Sequence, residues 1–257
     1  MKKISLLLIL PAILIFAACK KDNKSGTAAV TMRLTDAPAA YDHVFIDIQR
    51  VEVTMEGSST TTITPVHPGV YDLLSLKNGL DTLLAQTTLP AATIGQIRLV
   101  LGSNNSLVVN GTSYPLNTPS AQESGLKLNF HQSLSADSAY TIWIDFDAAK
   151  SIVQTGNGGY KLKPVIRAYS AITNGQIKGY VLPLAAGAIV YAAAGTDTLS
   201  AIPNTTDGFF RISGLATGTY KVWITPAMGT GLQPYTNANV SVSYGIQTDL
   251  GTITLLP

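Results

Sequence analysis

The sequence predicts a mainly β protein of two sandwich-type domains, the first carrying one or two short helices. Three observations lead there. Apolar and polar residues alternate in short runs, as in Gln96-Ile97-Arg98-Leu99-Val100-Leu101, where Ile97, Leu99 and Leu101 share one face. Turn dipeptides punctuate the runs, Asn110-Gly111 and Asp207-Gly208 among them. Charged residues make up only 12% of the 257 residues, and Thr, Ser, Gly, Ala and Val are abundant. That balance suits extracellular strands.

A different kind of segment precedes the strands. Lys2-Lys3, an apolar run from Ile4 to Ile15, then Phe16-Ala17-Ala18 before Cys19 have the layout of a secretory signal peptide. The apolar run is shorter than the roughly 20 residues that span a bilayer, and Pro11 interrupts it. The stretch resembles a bacterial lipobox, with Phe16 where Leu is usual. That resemblance implies a diacylglycerol on the Cys19 thiol. Cys19 is the only cysteine, so the fold contains no disulfide. Each buried CH₂ of an acyl chain adds about 0.8 kcal/mol, and two or three chains anchor firmly. Residues 1–18 are therefore read as a leader and 19–26 as a polar tether. Lys20-Lys21-Asp22 resembles the export signals of Bacteroidetes surface lipoproteins. The expected address is the outer membrane, lipid-anchored and facing outward. An ordinary signal peptide with an incidental cysteine is the competing reading.

The formal charge of +2 belongs to this segment. Five of the 17 Lys and Arg residues and one of the 15 acidic residues precede Thr27, which leaves 12 against 14 and a net charge near −2. A slightly acidic fold has no basic face for a phosphate backbone, so nucleic acid is excluded as the expected partner.

From Thr27 the elements follow in order. Ala28 to Leu34 reads as a strand and Thr35-Asp36-Ala37-Pro38 as a turn. His43 to Met55 reads as a long strand. Val44, Ile46 and Ile48 have one parity, Val51, Val53 and Met55 the other, so a bulge is required near Gln49-Arg50. Gly57-Ser58-Ser59 turns into a partner strand, Thr60 to Val66. Leu76 to Ala85 is the clearest helical stretch, with Leu76, Leu80, Leu83 and Leu84 at helical spacing. Ile94 to Leu101, Leu126 to Phe130 and Tyr140 to Phe146 are strands. Asn104-Asn105 and Asn110-Gly111 are turns, the second a hairpin signal. Asp147 caps a short turn through Ala148 to Val153. Gly156 to Gly159 is a loop without the Lys and helix of a phosphate loop. Tyr160 to Ile172 is a strand in which Pro164 marks an edge or a bulge.

Leu34-Thr-Asp-Ala-Pro38, Tyr71-Asp-Leu-Leu-Ser-Leu76, Gln96-Ile-Arg-Leu99, Asp145-Phe-Asp-Ala148, Ser151 and Tyr160-Lys-Leu-Lys-Pro-Val-Ile-Arg167 occur in that order. Together they resemble domain of unknown function 4382, a family common in Bacteroidetes lipoproteins. Where that family tends to have Gly-Tyr before Gln96, this chain has Ile94-Gly95. The resemblance implies a β-rich domain over residues 27–172 and no activity.

After Gly175 the texture changes. Gly175 to Val181 and Ala188 to Ala193 are strands. Thr205-Thr-Asp-Gly-Phe-Phe-Arg-Ile-Ser-Gly-Leu215 and Gly218-Thr-Tyr220 follow. Phe210 and Ile212 alternate inward, and Leu215 plugs the core. Tyr220-Lys-Val-Trp-Ile224 is another strand, and Val240, Val242, Leu250, Ile253 and Leu255 complete the pattern. Residues 173–257 resemble a carboxypeptidase-regulatory-like (prealbumin-like) β-sandwich module, a fold whose relatives include spacers and sugar binders.

Three kinds of site residue stand out. Asp145 and Asp147 flank Phe146, so a strand puts both on one face about 7 Å apart. With Asp36 they form a candidate Ca²⁺ site or a carboxylate pair for glycoside hydrolysis. The competing reading has Asp147 as a cap and Asp145 paired with Arg98, Lys163 or Arg167. Trp143 and Trp223 each oppose their own strand's apolar set, which makes them candidates for stacking on a sugar ring or for packing against a loop. His43, His67 and His131 lack ligand spacing. No Gly-x-Ser-x-Gly elbow is present. The expectation is a non-enzymatic surface module without a cofactor, Ca²⁺ aside, that binds a glycan or a surface protein. The alternatives are an assembly or pilus-type subunit and, behind it, a hydrolase.

Overall fold

The computed structural model describes residues 26–118 and 124–257. Cys19 and the segments read as leader and tether, up to residue 25, lie outside the described residues. The described chain is built almost wholly of strands around two hydrophobic cores. No helix among the described residues is long and apolar enough to cross a membrane.

The first core draws on residues from Ala28 to Ala168. Its strands are β1 (Thr27–Ala37), β2 (His43–Met55), β3 (Thr60–Ile63), β4 (Gly69–Asp72), β5 (Thr82–Pro90), β6 (Thr93–Leu101), β7 (Ser106–Val109), β8 (Thr112–Asn117), β9 (Leu126–Ser133), β10 (Ala139–Asp147), β11 (Ile152–Gln154), β12 (Tyr160–Leu162) and β13 (Ile166–Ser170). One sheet runs β13-β10-β1-β5. The other runs β11-β12-β8-β7-β2-β6-β9, with β3 and β4 also paired to β2. β1 and β10 are parallel neighbours, and Ala28, Val30, Met32 and Leu34 turn one parity of β1 into the core.

The parity change in β2 is accommodated as expected. Val44, Ile46 and Ile48 are buried, then Val51, Val53 and Met55, and the pairing with β6 slips between Ile48 and Arg50. The β7–β8 hairpin turns on Asn110 (φ 51°) and Gly111 (φ 73°), the two positive φ values of a type I′ turn. Asp147 caps the short helix α1 (Ala148–Ser151) by accepting the Lys150 N–H at 3.0 Å.

Three expectations are corrected. Leu76 to Ala85 is not a helix. A 3₁₀ turn at Leu73–Leu76 ends in left-handed Asn78 (φ 58°) and Gly79 (φ 76°), and β5 then pairs antiparallel with β1. The leucine spacing was coincidental: Leu76 and Leu84 are buried from different elements, while Leu80 is 61% exposed. Pairing with the otherwise open side of β1 satisfies more backbone than a helix broken at Asn78-Gly79 can. Thr35-Asp36-Ala37 is not a turn either, because parallel pairing carries β1 through Ala37 opposite Asp147. Asp36 is thereby buried inside a strand. Finally, Tyr160 to Ile172 is not one strand. It breaks at Lys163-Pro164-Val165, with β12 in the larger sheet and β13 in the smaller. Pro164 offers no N–H to either ladder, which suits the crossing between sheets.

The second core draws on residues from Ile177 to Leu255. Its strands are β14 (Gly175–Leu182), β15 (Ile189–Ala194), β16 (Asp197–Ala201), β17 (Phe209–Leu215), β18 (Gly218–Thr225), β19 (Tyr235–Val242) and β20 (Gln247–Thr254). They form sheets β17-β14-β20 and β16-β15-β18-β19. Phe210, Ile212 and Leu215 face inward as expected, against Val222 and Ile224.

Candidate functional site

The two tryptophans of the sequence have different surroundings. Trp143 lies on the face of β10 that points away from the first core, and it is half-buried. Its indole Nε1 donates to Asp81 Oδ2 at 2.7 Å, and Arg33 Nε donates to Asp81 Oδ1 at 2.6 Å. Its ring stacks on Tyr169, 5.7 Å between centroids and 13° between planes. Both the polar tip and a ring face of Trp143 are therefore occupied within the protein.

Trp223 lies on the outer face of the sheet β16-β15-β18-β19. Tyr191 stands directly across from it on β15. The rings stack at 5.0 Å and 13°, and Lys221 Nζ lies 5.6 Å from the indole centroid. Trp223 and Tyr191 are both half-buried, as Trp143 is. Alternation alone exposes Trp223; Tyr191 joins it only through the β15–β18 register.

The carboxylates Asp36, Asp145 and Asp147 gather at the C-terminal ends of the parallel pair β1 and β10. Each has a local commitment. Asp145 forms a short ion pair with Arg167, one of the three partners open to it from sequence. Asp147 holds its cap and an ion pair with Lys150 at 2.8 Å. Asp36 Oδ1 accepts the Ala148 N–H at 3.1 Å, while Oδ2 is buried without a partner. Burial, with Asp145 and then Asp147 adding like charge, holds the Asp36 carboxyl well above the usual carboxylate range. Burial also raises Asp145, against the opposing pull of Arg167. Among the described residues, no three His, Cys, Asp or Glu side chains converge as a ligand set for a metal ion. His43 pairs with Asp72 and His131 with Glu56, each at 2.8 Å, and the His67 carbonyl accepts the Tyr71 hydroxyl.

The outer face of β10 and β13 meets the second unit. Arg167 reaches across to Ser213 O at 2.7 Å and Gly214 O at 3.2 Å. Gly214 (φ 70°) lies so close to Tyr169 that a Cβ there would fall 2.4 Å from the ring. Asn78 donates to Ile202 O and Asn204 Oδ1, both at 2.8 Å. Lys150 Nζ donates to Thr198 O at 2.7 Å. Beside this seam opens a cleft of about 760 Å³. Ile166 and Ala168 of β13 form one wall, and Thr198, Leu199 and Ala216 form part of the other. Sequence reasoning missed Asn78, Asp81 and Tyr191. The Asn78-Gly79 pair was a usable turn signal; the other two depend on long-range contacts.

No curated protein matches the chain by sequence. Among solved structures, the chain is similar to the Bacillus anthracis TIE protein at 11% identity and TM-score 0.24, covering 90% of this chain and 34% of that one. The chain thus spans about a third of the TIE protein's length. It is similar to the minor pilin GBS52 of Streptococcus agalactiae at 10% identity and TM-score 0.22, covering 91% and 97% of the two chains. A mutant of the shaft pilin SpaA from Lactobacillus rhamnosus GG gives 9% identity and TM-score 0.22, covering 90% and 99%. A family model for a domain of unknown function, DUF4382, matches residues 27–164, the stretch that holds the motifs from Leu34 to Ser151 and the first part of the one from Tyr160 to Arg167. With more than half of its length matched, the chain belongs to the DUF4382 family.

Proposed function

We propose that this is a lipid-anchored, non-enzymatic binding module displayed at the outer-membrane surface, with a glycan-contact face built on Trp223 and Tyr191. The carrying observation is the half-buried stacked pair on an outer sheet face, flanked by Lys221, with no side-chain hydrogen bond among the described residues of the kind that holds Trp143. Aromatic rings with polar tips bury apolar area while keeping a hydrogen-bonding end in water. That combination suits a sugar, which has an apolar ring face and a polar rim. Thr236, opposite Trp223 on β19, and Ser200, opposite Tyr191 on β16, add hydroxyls beside the pair.

The lipobox-like segment ending at Cys19 supports the address. The second unit is read as the carboxypeptidase-regulatory-like module, residues 173–257. The non-enzymatic reading is supported by Asp145 and Asp147, which are tied to Arg167 and Lys150 and not poised as an acid–base pair across a sugar cleft.

Two measurements test this reading. The chain from residue 19, carrying Cys19→Ser, should be retained by at least one member of a polysaccharide panel. Trp223→Ala should abolish that retention and Trp143→Ala should leave it intact. A panel with no retained member removes the glycan face. Separately, labelled palmitate should enter the wild-type chain and not Cys19→Ser; equal labelling removes the anchor.

A further inference from the structure

We infer that the cleft beside the seam is a docking groove for an extended peptide segment of a partner protein, which adds as a strand to β13 and carries a basic side chain. β13 is the edge of its sheet, paired only with β10. The β10–β13 register places Val165 opposite Asp147, and the Asp147 N–H donates to Val165 O at 2.9 Å. Hydrogen-bonded pairs therefore recur at Asp145/Arg167 and Trp143/Tyr169. The intervening residues Ile166, Ala168 and Ser170 turn their backbone N–H and C=O away from β10.

That outward edge is treated unevenly. At one end the strand gives way to Val165, whose N–H faces β10 by register and is instead taken by Ser151 Oγ at 2.8 Å. At the other, Thr173 Oγ1 accepts the Ser170 N–H at 3.1 Å and lies 3.3 Å from Ser170 O as a donor. Side chains that cap a sheet edge protect it from pairing with other chains. Between these ends, Ile166 and Ala168 present two donors and two acceptors, about 7 Å apart along the strand. Both residues line the cleft. Strand addition needs such an array of main-chain groups beside pockets for alternate side chains.

The lining selects the chemistry of the occupant. Val165, Ile166, Ala168 and Leu199 offer apolar contact to alternate residues of an added strand. The two cations of the lining, Lys150 and Arg167, are held by Asp147 and Asp145. Asp197, on the opposite wall, has no ion pair among the described residues. The charge left for an incoming segment to meet is negative, which favours Lys or Arg. The cleft lies at the Ala37 end of β1, whereas the tether joins at Gly26. The length of β1 separates them by about 35 Å, so the groove opens at the end of the strand remote from the tether.

The test is display selection of random linear decapeptides on the chain from residue 19 carrying Cys19→Ser. Enriched peptides should alternate apolar residues and include Lys or Arg. Binding should slow deuterium exchange at the Ile166 and Ala168 amides. N-methylation of alternate peptide amides should weaken binding at least tenfold, because it removes main-chain donors and leaves the side chains. Ala168→Pro deletes one outward N–H without touching the β10 ladder, and proline is tolerated on edges; it too should cost tenfold or more. If Ala168→Pro does not fold, Ala216→Trp, which fills the cleft from the other wall, takes its place. Asp197→Asn should lower affinity severalfold and remove the basic preference, and Trp223→Ala should change nothing. The proposal is overturned by an absence of enrichment over the Ala216→Trp protein, by binding that survives the blocking variants, or by peptides that depend on Trp223.

Discussion

Asp81 Oδ2 accepts the indole N–H of Trp143 at 2.7 Å, across 62 residues of sequence. The same carboxylate holds Arg33 through its other oxygen. Asp81 stands between the Asn78-Gly79 turn and β5, so the chain reversal there delivers a carboxylate to the outer face of β10. Asp81→Ala should strand a half-buried indole N–H and a guanidinium, costing about 1–3 kcal/mol. In a domain of this size that is a fall in Tm of about 2–4 °C per kcal/mol. Thermal melts check the magnitude, and a red shift in tryptophan fluorescence checks the cause. An unchanged melt would mean that Trp143 is held by its stack on Tyr169 alone.

The seam between the units yields a second expectation. Asn78 combines a left-handed backbone with two hydrogen bonds to the second unit. Asn78→Gly keeps the backbone and loses both bonds, whereas Asn78→Ala loses the bonds and also strains φ. The alanine variant should be the less stable of the two by about 1 kcal/mol. Denaturant melts of both, monitored separately for each core, should show the units uncoupling in either variant. Equal stability would show that the positive φ is relaxed without cost.

Arg167 is the partner of a nearly buried carboxylate. Arg167→Ala leaves Asp145 uncompensated and also frees Ser213 O and Gly214 O. Breaking a buried pair costs several kcal/mol, and the partial exposure of Arg167 reduces that to about 2–4 kcal/mol. Arg167→Ala with Asp145→Asn should recover part of the loss. A double variant no better than the single one would place the cost in the seam and not in the charge.

Asp36 sets a pH dependence. Its carboxyl is held above the usual range by burial, so the folded chain binds the proton more tightly than the unfolded chain does. Stability from this group is fully present below about pH 4, the ordinary carboxylate pKa, and is lost as pH rises towards the folded value. Asp36→Asn keeps an oxygen for the Ala148 N–H and removes the titration. Relative to wild type it should gain Tm as pH rises from 4 to 7. A difference in Tm that does not change with pH would contradict the assignment.

The aromatic pair can be weighed by a double-mutant cycle. Tyr191→Ala and Trp223→Ala should show a coupling of about 0.5–1.5 kcal/mol in stability, as expected for stacked rings. Coupling near zero would mean that each ring is held by its own strand.

Much of the fold was legible in order. The alternation at Ile97, Leu99 and Leu101, the parity change in β2 and the Asn110-Gly111 hairpin are local signals, and each corresponds to what the strands do. The reading failed where two local patterns competed. Four leucines at helical spacing outweighed Asn78-Gly79, yet a tertiary partner for the backbone, β1, decided the outcome. Of the candidate site residues, the outward parity of Trp143 and Trp223 followed from alternation, but parity does not say what covers a face.

The sequence by itself determined the strand-rich architecture, the two separate cores and the family. The first two rest on side-chain period and turn chemistry, which act over a few residues, and the family on the motifs between Leu34 and Arg167. Only the tertiary structure decided that Asp81 and Tyr169 engage Trp143, that Tyr191 completes the face at Trp223, and that β13 leaves an open edge in a cleft. Those outcomes depend on sheet order and register, which are set by pairing between segments far apart in the chain.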